Sequence, residues 1–252
     1  MTTERKDMVW QSAEVAHNFL QGMRGAMPLA NEQFDVMLRV IRAARSQPGS
    51  FLDVGCGDGI VGHAILSQCP EAHGVFLDFS KPMIEAAKSK LAGKYPKLTF
   101  VAQDYGLPEW VHSVQPYAPF DAIVSGYSIH HQPDQRKREI YEEIFSLLKP
   151  GGVFLNIEHV APPSTWVERL FDELYIDARH HWNQANGVVK TREEVAQEFH
   201  NRQDKQANIL APLEAQCDWL RDIGFIHVDC FLKIFELALF GGVRPATAMG
   251  VS

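Results

Sequence analysis

A chain of 252 residues, 46% of them hydrophobic, can bury a sizeable core and lacks the compositional bias of a disordered polypeptide. Its formal charge of −7 repels phosphate backbones on average, so small molecules rather than nucleic acids are the expected partners. No apolar run reaches the roughly 18 residues of a membrane span, and the first residues lack the apolar core of a signal peptide. Cys56, Cys69, Cys217 and Cys230 form no C-x-x-C pair, so the expectation is a cytoplasmic chain with reduced thiols, no metal site and no membrane association. The pattern leaves the oligomeric state open, a homodimer included.

In chain order, residues 1–47 read as two helices broken at Pro28. Five short apolar runs follow: Ser50–Val54, His73–Leu77, Leu98–Val101, Phe120–Val124 and Val153–Ile157. Most are separated by helix-length amphipathic segments. This alternation predicts a doubly wound α/β fold, a parallel sheet with helices on both faces. Pro48-Gly49 and Lys149-Pro150-Gly151-Gly152 sit where preceding helices should stop. Beyond residue 160 the rhythm changes. Residues 161–208 open on Pro162-Pro163, are rich in aromatic, His and charged side chains, and read as a helical insertion. A helix over 211–222 ends at Gly224, and Phe225–Cys230 and Lys233–Phe240 are close enough to pair as an antiparallel hairpin. The chain is expected to be a single domain: N-terminal helices (1–47), a ligand-binding core (48–160), the insertion (161–208), and a C-terminal helix and hairpin (209–252).

The most informative segment is Phe51-Leu-Asp-Val-Gly-Cys-Gly-Asp-Gly59, a strand running into a glycine turn before a helix that begins near Ile60. Gly55, Gly57 and Gly59 permit positive φ and close backbone approach to a ligand. Gly57, Gly59 and Gly62 also satisfy the dinucleotide pattern G-x-G-x-x-G, so charge must separate the candidates. A dinucleotide brings an anionic pyrophosphate to such a turn, whereas S-adenosylmethionine brings a sulfonium and an ammonium group. Asp53 and Asp58 would repel the first and attract the second, and no Lys or Arg occurs from Phe51 to Ser80.

Asp78 closes the second strand about twenty residues after the loop, where an acid can accept from both ribose hydroxyls. Asp104 ends the third, where a carboxylate can accept from an adenine amino group while Phe79 or Tyr105 lies against the ring. Each acid also has a structural use, Asp53 and Asp78 as helix caps and Asp104 as a turn residue. Three acidic strand ends in succession, at the edge where open α/β sheets bind ligands, favour a nucleoside site.

Ser125-Gly-Tyr-Ser-Ile-His130-His131 leaves the fourth strand at that same edge. Tyr127, His130 and His131 are therefore candidates to face the reacting group, with packing or helix capping as the structural alternative; histidine titrates near 6.5, suitably for a base. Glu158, His159, Tyr175, His180, His181 and Trp182 could cover an acceptor. His180 and His181 are no metal signature, since neighbours on a helix point about 100° apart and no i, i+4 ligand completes a site.

Together these segments resemble the class I S-adenosylmethionine-dependent methyltransferase family. Asp53-Val-Gly55-Cys-Gly57-Asp-Gly59 is similar to its first motif, Asp78 to its ribose-binding acid and Asp104 to its adenine-side acid. Phe120-Asp-Ala-Ile-Val-Ser125 is similar to its fourth strand and Leu148-Lys-Pro-Gly-Gly152 to its post-helix turn. The resemblance covers about 48–160 and, in outline, the C-terminal hairpin. It implies a Rossmann-like, mostly parallel seven-stranded sheet with an antiparallel last strand, S-adenosyl-L-methionine as cofactor, and in-line methyl transfer to a small-molecule acceptor. Arg24, Asp53, Gly55, Gly57, Asp58, Gly59, Asp78, Phe79, Asp104, Tyr105 and Ser125 would surround the cofactor, Arg24 as a clamp for its carboxylate if not a surface charge.

A narrower resemblance, to the carboxy-S-adenosylmethionine synthase family, rests on Arg24 ahead of Pro28, Gln184-Ala-Asn-Gly187 and Gly224-Phe225. It implies bound S-adenosylmethionine as acceptor of a carboxymethylene group derived from prephenate, in support of tRNA modification. Gln184 and Val188 stand where an Arg-Ala-Asn-Gly-Tyr run would be expected, which removes a cation that could pair with an added carboxylate. A non-catalytic S-adenosylmethionine-binding module and an NAD-dependent reductase are the other readings the residues leave open.

Overall fold

Successive residues of a strand face opposite sides of its sheet, and the apolar runs carry bulky side chains at consecutive positions, so both faces need cover. The computed structural model, which describes residues 5–18, 20 and 26–246, supplies it. The strands are β1 (Ser50–Val54), β2 (His73–Asp78), β3 (Leu98–Ala102), β4 (Phe120–Gly126), β5 (Leu148–His159), β6 (Ile226–Ile234) and β7 (Leu237–Val243). They form one sheet in the order β3-β2-β1-β4-β5-β7-β6. The first five pair in parallel, and β7 runs antiparallel to both β5 and β6, so six strands share a direction and β7 alone is reversed.

On one face lie α2 (Ala30–Ala44), α3 (Ile60–Gln68) and α4 (Lys81–Leu91), which pack Met37, Ile41, Ile65 and Leu91 onto Phe51, Phe76, Val124 and Leu155. The other face is covered by α5 (Trp110–Val114), α6 (Asp134–Leu147) and α9 (Leu213–Ile223), through Trp110, Ile140, Tyr141 and Leu220 against Leu52, Leu77, Ile123 and Phe154. The side-by-side pairs Phe51/Leu52 and Phe154/Leu155 thus divide between two cores. α9 stops where Gly224 turns left-handed (φ 111°).

Three boundaries differ from the sequence reading. Lys149-Pro-Gly-Gly152 lies inside β5, as the irregularity between the Phe120–Leu148 and Ala122–Val153 pairs, with Gly151 at φ 74°; turn residues here make a bulge rather than a stop. In the hairpin, Lys233 and Ile234, expected to open the second strand, end β6 instead, and β7 begins at Leu237 and runs on to Val243. Residues before α2 form a 3₁₀ helix (Lys6–Gln11) and the short α1 (Ala13–Asn18), and Arg24 falls outside the described residues.

The order of connection reverses between β1 and β4, the crevice where open α/β sheets take ligands at the carboxyl ends of their strands. The insertion supplies α7 (Thr165–Ala185) and α8 (Arg192–Asn201), the second started by a Thr191–Glu194 capping box. Their Phe171, Tyr175, Ile176, Val195 and Phe199 make a separate apolar cluster with Leu237. Among the described residues, no helix is long and apolar enough to cross a membrane.

Candidate active site

The β1 loop owes its course to glycines at φ 65° (Gly55), 55° (Gly57) and 78° (Gly59). A Cβ on Gly55 would stand 1.8 Å from Ser128 Oγ, whereas one on Gly57 would meet nothing within 4 Å. The loop is therefore packed on one side and open on the other, and the open side is a cavity. Asp78 holds the loop there: its Oδ2 accepts from Gly57 N at 2.9 Å and its Oδ1 from Ser80 N at 2.8 Å. Burial pushes this carboxyl up to about 6.

Of the expected cofactor-side residues, Gly55, Gly57, Asp78, Phe79 and Tyr105 line the cavity. Tyr105 donates to Ser128 O at 2.9 Å, which fixes its ring below the loop. The other described ones are engaged elsewhere. Asp53 Oδ2 accepts from Gly62 N at 2.8 Å, serving the start of α3, and Gly59 is the left-handed N-cap of that helix. Asp58 pairs with Lys90 Nζ at 3.1 Å, a lysine on α4 outside the loop's own neighbourhood. Ser125 Oγ donates to Val54 O at 2.8 Å, tying β4 to β1. Asp104 accepts from Gly106 N at 2.8 Å and pairs with Arg5. Arg5 also grips Asp7 (Nη2–Oδ2 2.7 Å), and Asp7 lines the cavity.

Tyr127, His130 and His131 all line the cavity but differ in chemistry. Tyr127 has a positive φ of 52°; its hydroxyl donates to Gln33 Oε1 at 2.6 Å, and burial raises its pKa above the ordinary value, so it is a fixed neutral donor. His131 Nδ1 donates to Ala207 O at 3.2 Å, and burial pushes its pKa down to about 3. His130 forms a tight pair with Glu158, Nδ1 to Oε1 at 2.5 Å and backbone N to Oε2 at 3.0 Å. Burial, then the neighbouring His159, Lys137 and Arg202, hold His130 well below its usual pKa, hence neutral at pH 7. Glu158 also accepts from Asn156 Nδ2 (3.2 Å) and His159 N (2.9 Å), and burial raises it to about 6.

A second imidazole–carboxylate pair faces the same cavity. His159, at the end of β5, holds Glu236 Oε2 at 2.6 Å through Nε2, and its ring lies 5.9 Å from that of His130. The sequence pointed to His159 only as a covering residue and gave no sign of Glu236, which stands between β6 and β7, 77 positions away. Gln33 on α2 and Arg202 after α8 also line the cavity and lie in segments without a motif. Gln184, whose identity weighed against a cation near the cofactor, is exposed and bonded to His180 Nε2 at 3.1 Å; Arg202 is the cation that the insertion brings to the cavity.

Comparison with known proteins agrees with this architecture. The methyltransferase domain family model matches residues 51–152. Demethylmenaquinone methyltransferase of Clavibacter sepedonicus is 31% identical over 199 residues, 77% of this chain and 73% of that protein. Carboxy-S-adenosyl-L-methionine synthase of Desulfotalea psychrophila is 22% identical over 96% of this chain and 99% of its own length. Malonyl-[acyl-carrier protein] O-methyltransferase 2 of Ilyobacter polytropus is 34% identical over 42% of this chain, a match that spans 38% of that relative. In fold, human N-acetylserotonin methyltransferase solved in complex with S-adenosylmethionine superposes with a TM-score of 0.58 at 16% identity, covering 98% of this chain and 60% of that one. The chain belongs to the class I S-adenosylmethionine-dependent methyltransferase family.

Proposed function

We propose that this protein methylates a proton-bearing oxygen or nitrogen of a small-molecule acceptor in the cytoplasm, with His130 and His159 as the candidate proton acceptors. The observation that carries this reading is the convergence of two imidazole–carboxylate pairs, His130–Glu158 and His159–Glu236, on the cavity lined by the glycine loop and Asp78. S-adenosylmethionine, when bound, supplies a methyl group already activated by its sulfonium. The chain's own share is alignment and the handling of the acceptor's proton.

Asp78 is placed to accept from ribose hydroxyls while keeping Gly57 in position, and Phe79 and Tyr105 offer apolar faces to a purine. The open side of Gly57 gives the ligand room against the backbone. On the acceptor side, a neutral imidazole can take the acceptor's proton as its bond to methyl forms, and the carboxylate behind it stabilises the imidazolium. Tyr127 and His131, each committed to a protein partner, hold the wall in place.

Titration calorimetry with S-adenosylmethionine tests the first step; a folded protein that fails to bind it would sink the reading. Transfer of labelled methyl to a panel of phenols, alcohols and amines tests the second. H130N or H159N should lower the rate by about 10²-fold or more with cofactor affinity retained, and unchanged rates in both would remove the base.

A second reading, carboxymethyl transfer to the cofactor, is favoured by the match to carboxy-S-adenosyl-L-methionine synthase across 96% of the chain. Mass spectrometry of the copurified cofactor separates the two, since the second requires a species heavier by a carboxylate.

A further inference from the structure

Arg202 follows α8 and turns its guanidinium into the acceptor end of the cavity, where the side chain is 14% exposed. The guanidinium carbon lies 4.7 Å from the Phe199 ring centroid and 5.8 Å from that of Tyr175. Its Nε is buried and has no hydrogen-bond acceptor among the described residues; Asp204 Oδ2, at 3.6 Å, is near enough to share charge but beyond hydrogen-bond reach. A planar guanidinium in the cavity wall suits a carboxylate, which it can meet with two parallel hydrogen bonds.

From this cation an aromatic wall leads back to the proposed bases. Phe199 stands 5.1 Å from Tyr175, Tyr175 6.1 Å from Phe171, and Phe171 5.2 Å from His159, between ring centroids. All four line the cavity. Of the acids beside them, Asp7 is taken by Arg5 and by Gln132 Nε2 (3.0 Å), and Asp204 is the neighbour of Arg202 itself.

We propose that the cavity accepts a small molecule bearing a carboxylate, which Arg202 binds, and a flat apolar body laid along Phe171, Tyr175 and Phe199, presenting its reactive group at His159 and His130. The proposal rests on the methyltransferase reading and names its substrate class. A carboxylate could reach Arg202 from the acceptor or from the amino-acid end of the cofactor, and the test separates the two.

Protein with and without S-adenosylhomocysteine is titrated calorimetrically with 4-hydroxybenzoate and its neutral twin 4-hydroxybenzamide. The acid should bind at least tenfold more tightly than the amide to the wild type, and the ratio should fall towards one in R202Q. R202K, which keeps the charge but not the fork, should fall between. Equal binding of acid and amide, no binding of the acid at millimolar concentration, or a preference that survives R202Q each overturns the proposal. So does an R202Q that loses affinity for S-adenosylhomocysteine while keeping the acid preference, which would give Arg202 to the cofactor. Arg202 packs on two rings, so melting temperatures accompany the variants; if R202Q is unstable, R202K decides, an undiminished acid preference in it overturning the proposal. Failure of the wild type to bind S-adenosylhomocysteine would remove the function reading, while the acid-to-amide ratio of unloaded protein still decides this one.

Discussion

Replacing His131 with Gln should flatten the acid side of the stability profile. Its ring lies 4.0 Å from that of His130 and 5.7 Å from that of Trp10, and its Nδ1 donates to Ala207 O. The carboxylates of Glu158 and Asp7 favour its protonation, yet burial, reinforced by His130, dominates and holds the pKa at about 3. An unfolded chain binds a proton here below about 6.5, and the folded one does not until about 3, so stability falls as pH drops through that window. At pH 5 the gap is about 1.5 pH units, worth about 2 kcal/mol at roughly 1.36 kcal/mol per unit. Gln can still donate to Ala207 O but does not titrate. Urea unfolding at pH 7 and pH 5 should therefore show the wild type losing about 2 kcal/mol more than H131Q. His130, depressed in the same sense, and Asp78 and Glu158, raised to about 6 and acting with the opposite sign, are present in both proteins, so the difference reports chiefly on His131 and on its charge coupling to Glu158. Equal losses would refute the burial account. What sets His131 apart from His130 as a base is its partner: its Nδ1 faces the Ala207 carbonyl rather than a carboxylate that could stabilise an imidazolium.

Four further variants probe the loop and the Glu158 hub. G57A should fold with a penalty of about 1–2 kcal/mol for a left-handed alanine and lose S-adenosylhomocysteine affinity, because its methyl enters the cavity. G55A, whose Cβ would meet Ser128 Oγ at 1.8 Å, should instead fail at folding, and equal melting temperatures for the two would contradict the loop geometry. D78N should weaken S-adenosylhomocysteine binding more than tenfold by calorimetry, and unchanged affinity would argue against its ribose role. In E158Q one carboxylate oxygen becomes an NH₂ facing the donors on His130, Asn156 and His159. Chemical denaturation should show a loss of about 1–3 kcal/mol for the unsatisfied donor, and methyl transfer should slow with it; full activity would free His130 of any part in the chemistry.

The sheet was legible because each strand announces itself by a local apolar run, and a parallel doubly wound sheet follows from their alternation with helices. The extent of β5 was not, since a Pro-Gly-Gly bulge and a Pro-Gly-Gly stop look alike until Leu148 pairs with Phe120. Strand ends and the glycine loop could be placed at one edge from the chain alone. Glu236, Arg202 and Gln33 could not, because only the folded insertion, hairpin and N-terminal helix bring them there.

Charge around the loop needs a different account from the one its sequence suggests. Asp53 and Asp58 were counted as a field favouring a cation, but one serves Gly62 N and the other is compensated by Lys90. The folded loop offers a more local distinction. In a dinucleotide site the amides of such a turn and its helix start are aimed at a pyrophosphate. Here Gly57 N is committed to Asp78 Oδ2, and Asp78 itself faces the cavity. A phosphate at that point would find a donor already occupied and a carboxylate beside it, whereas a ribose would find an acceptor. Since an acid at the end of β2 serves the ribose of either cofactor, what separates them here is the one amide that Asp78 occupies.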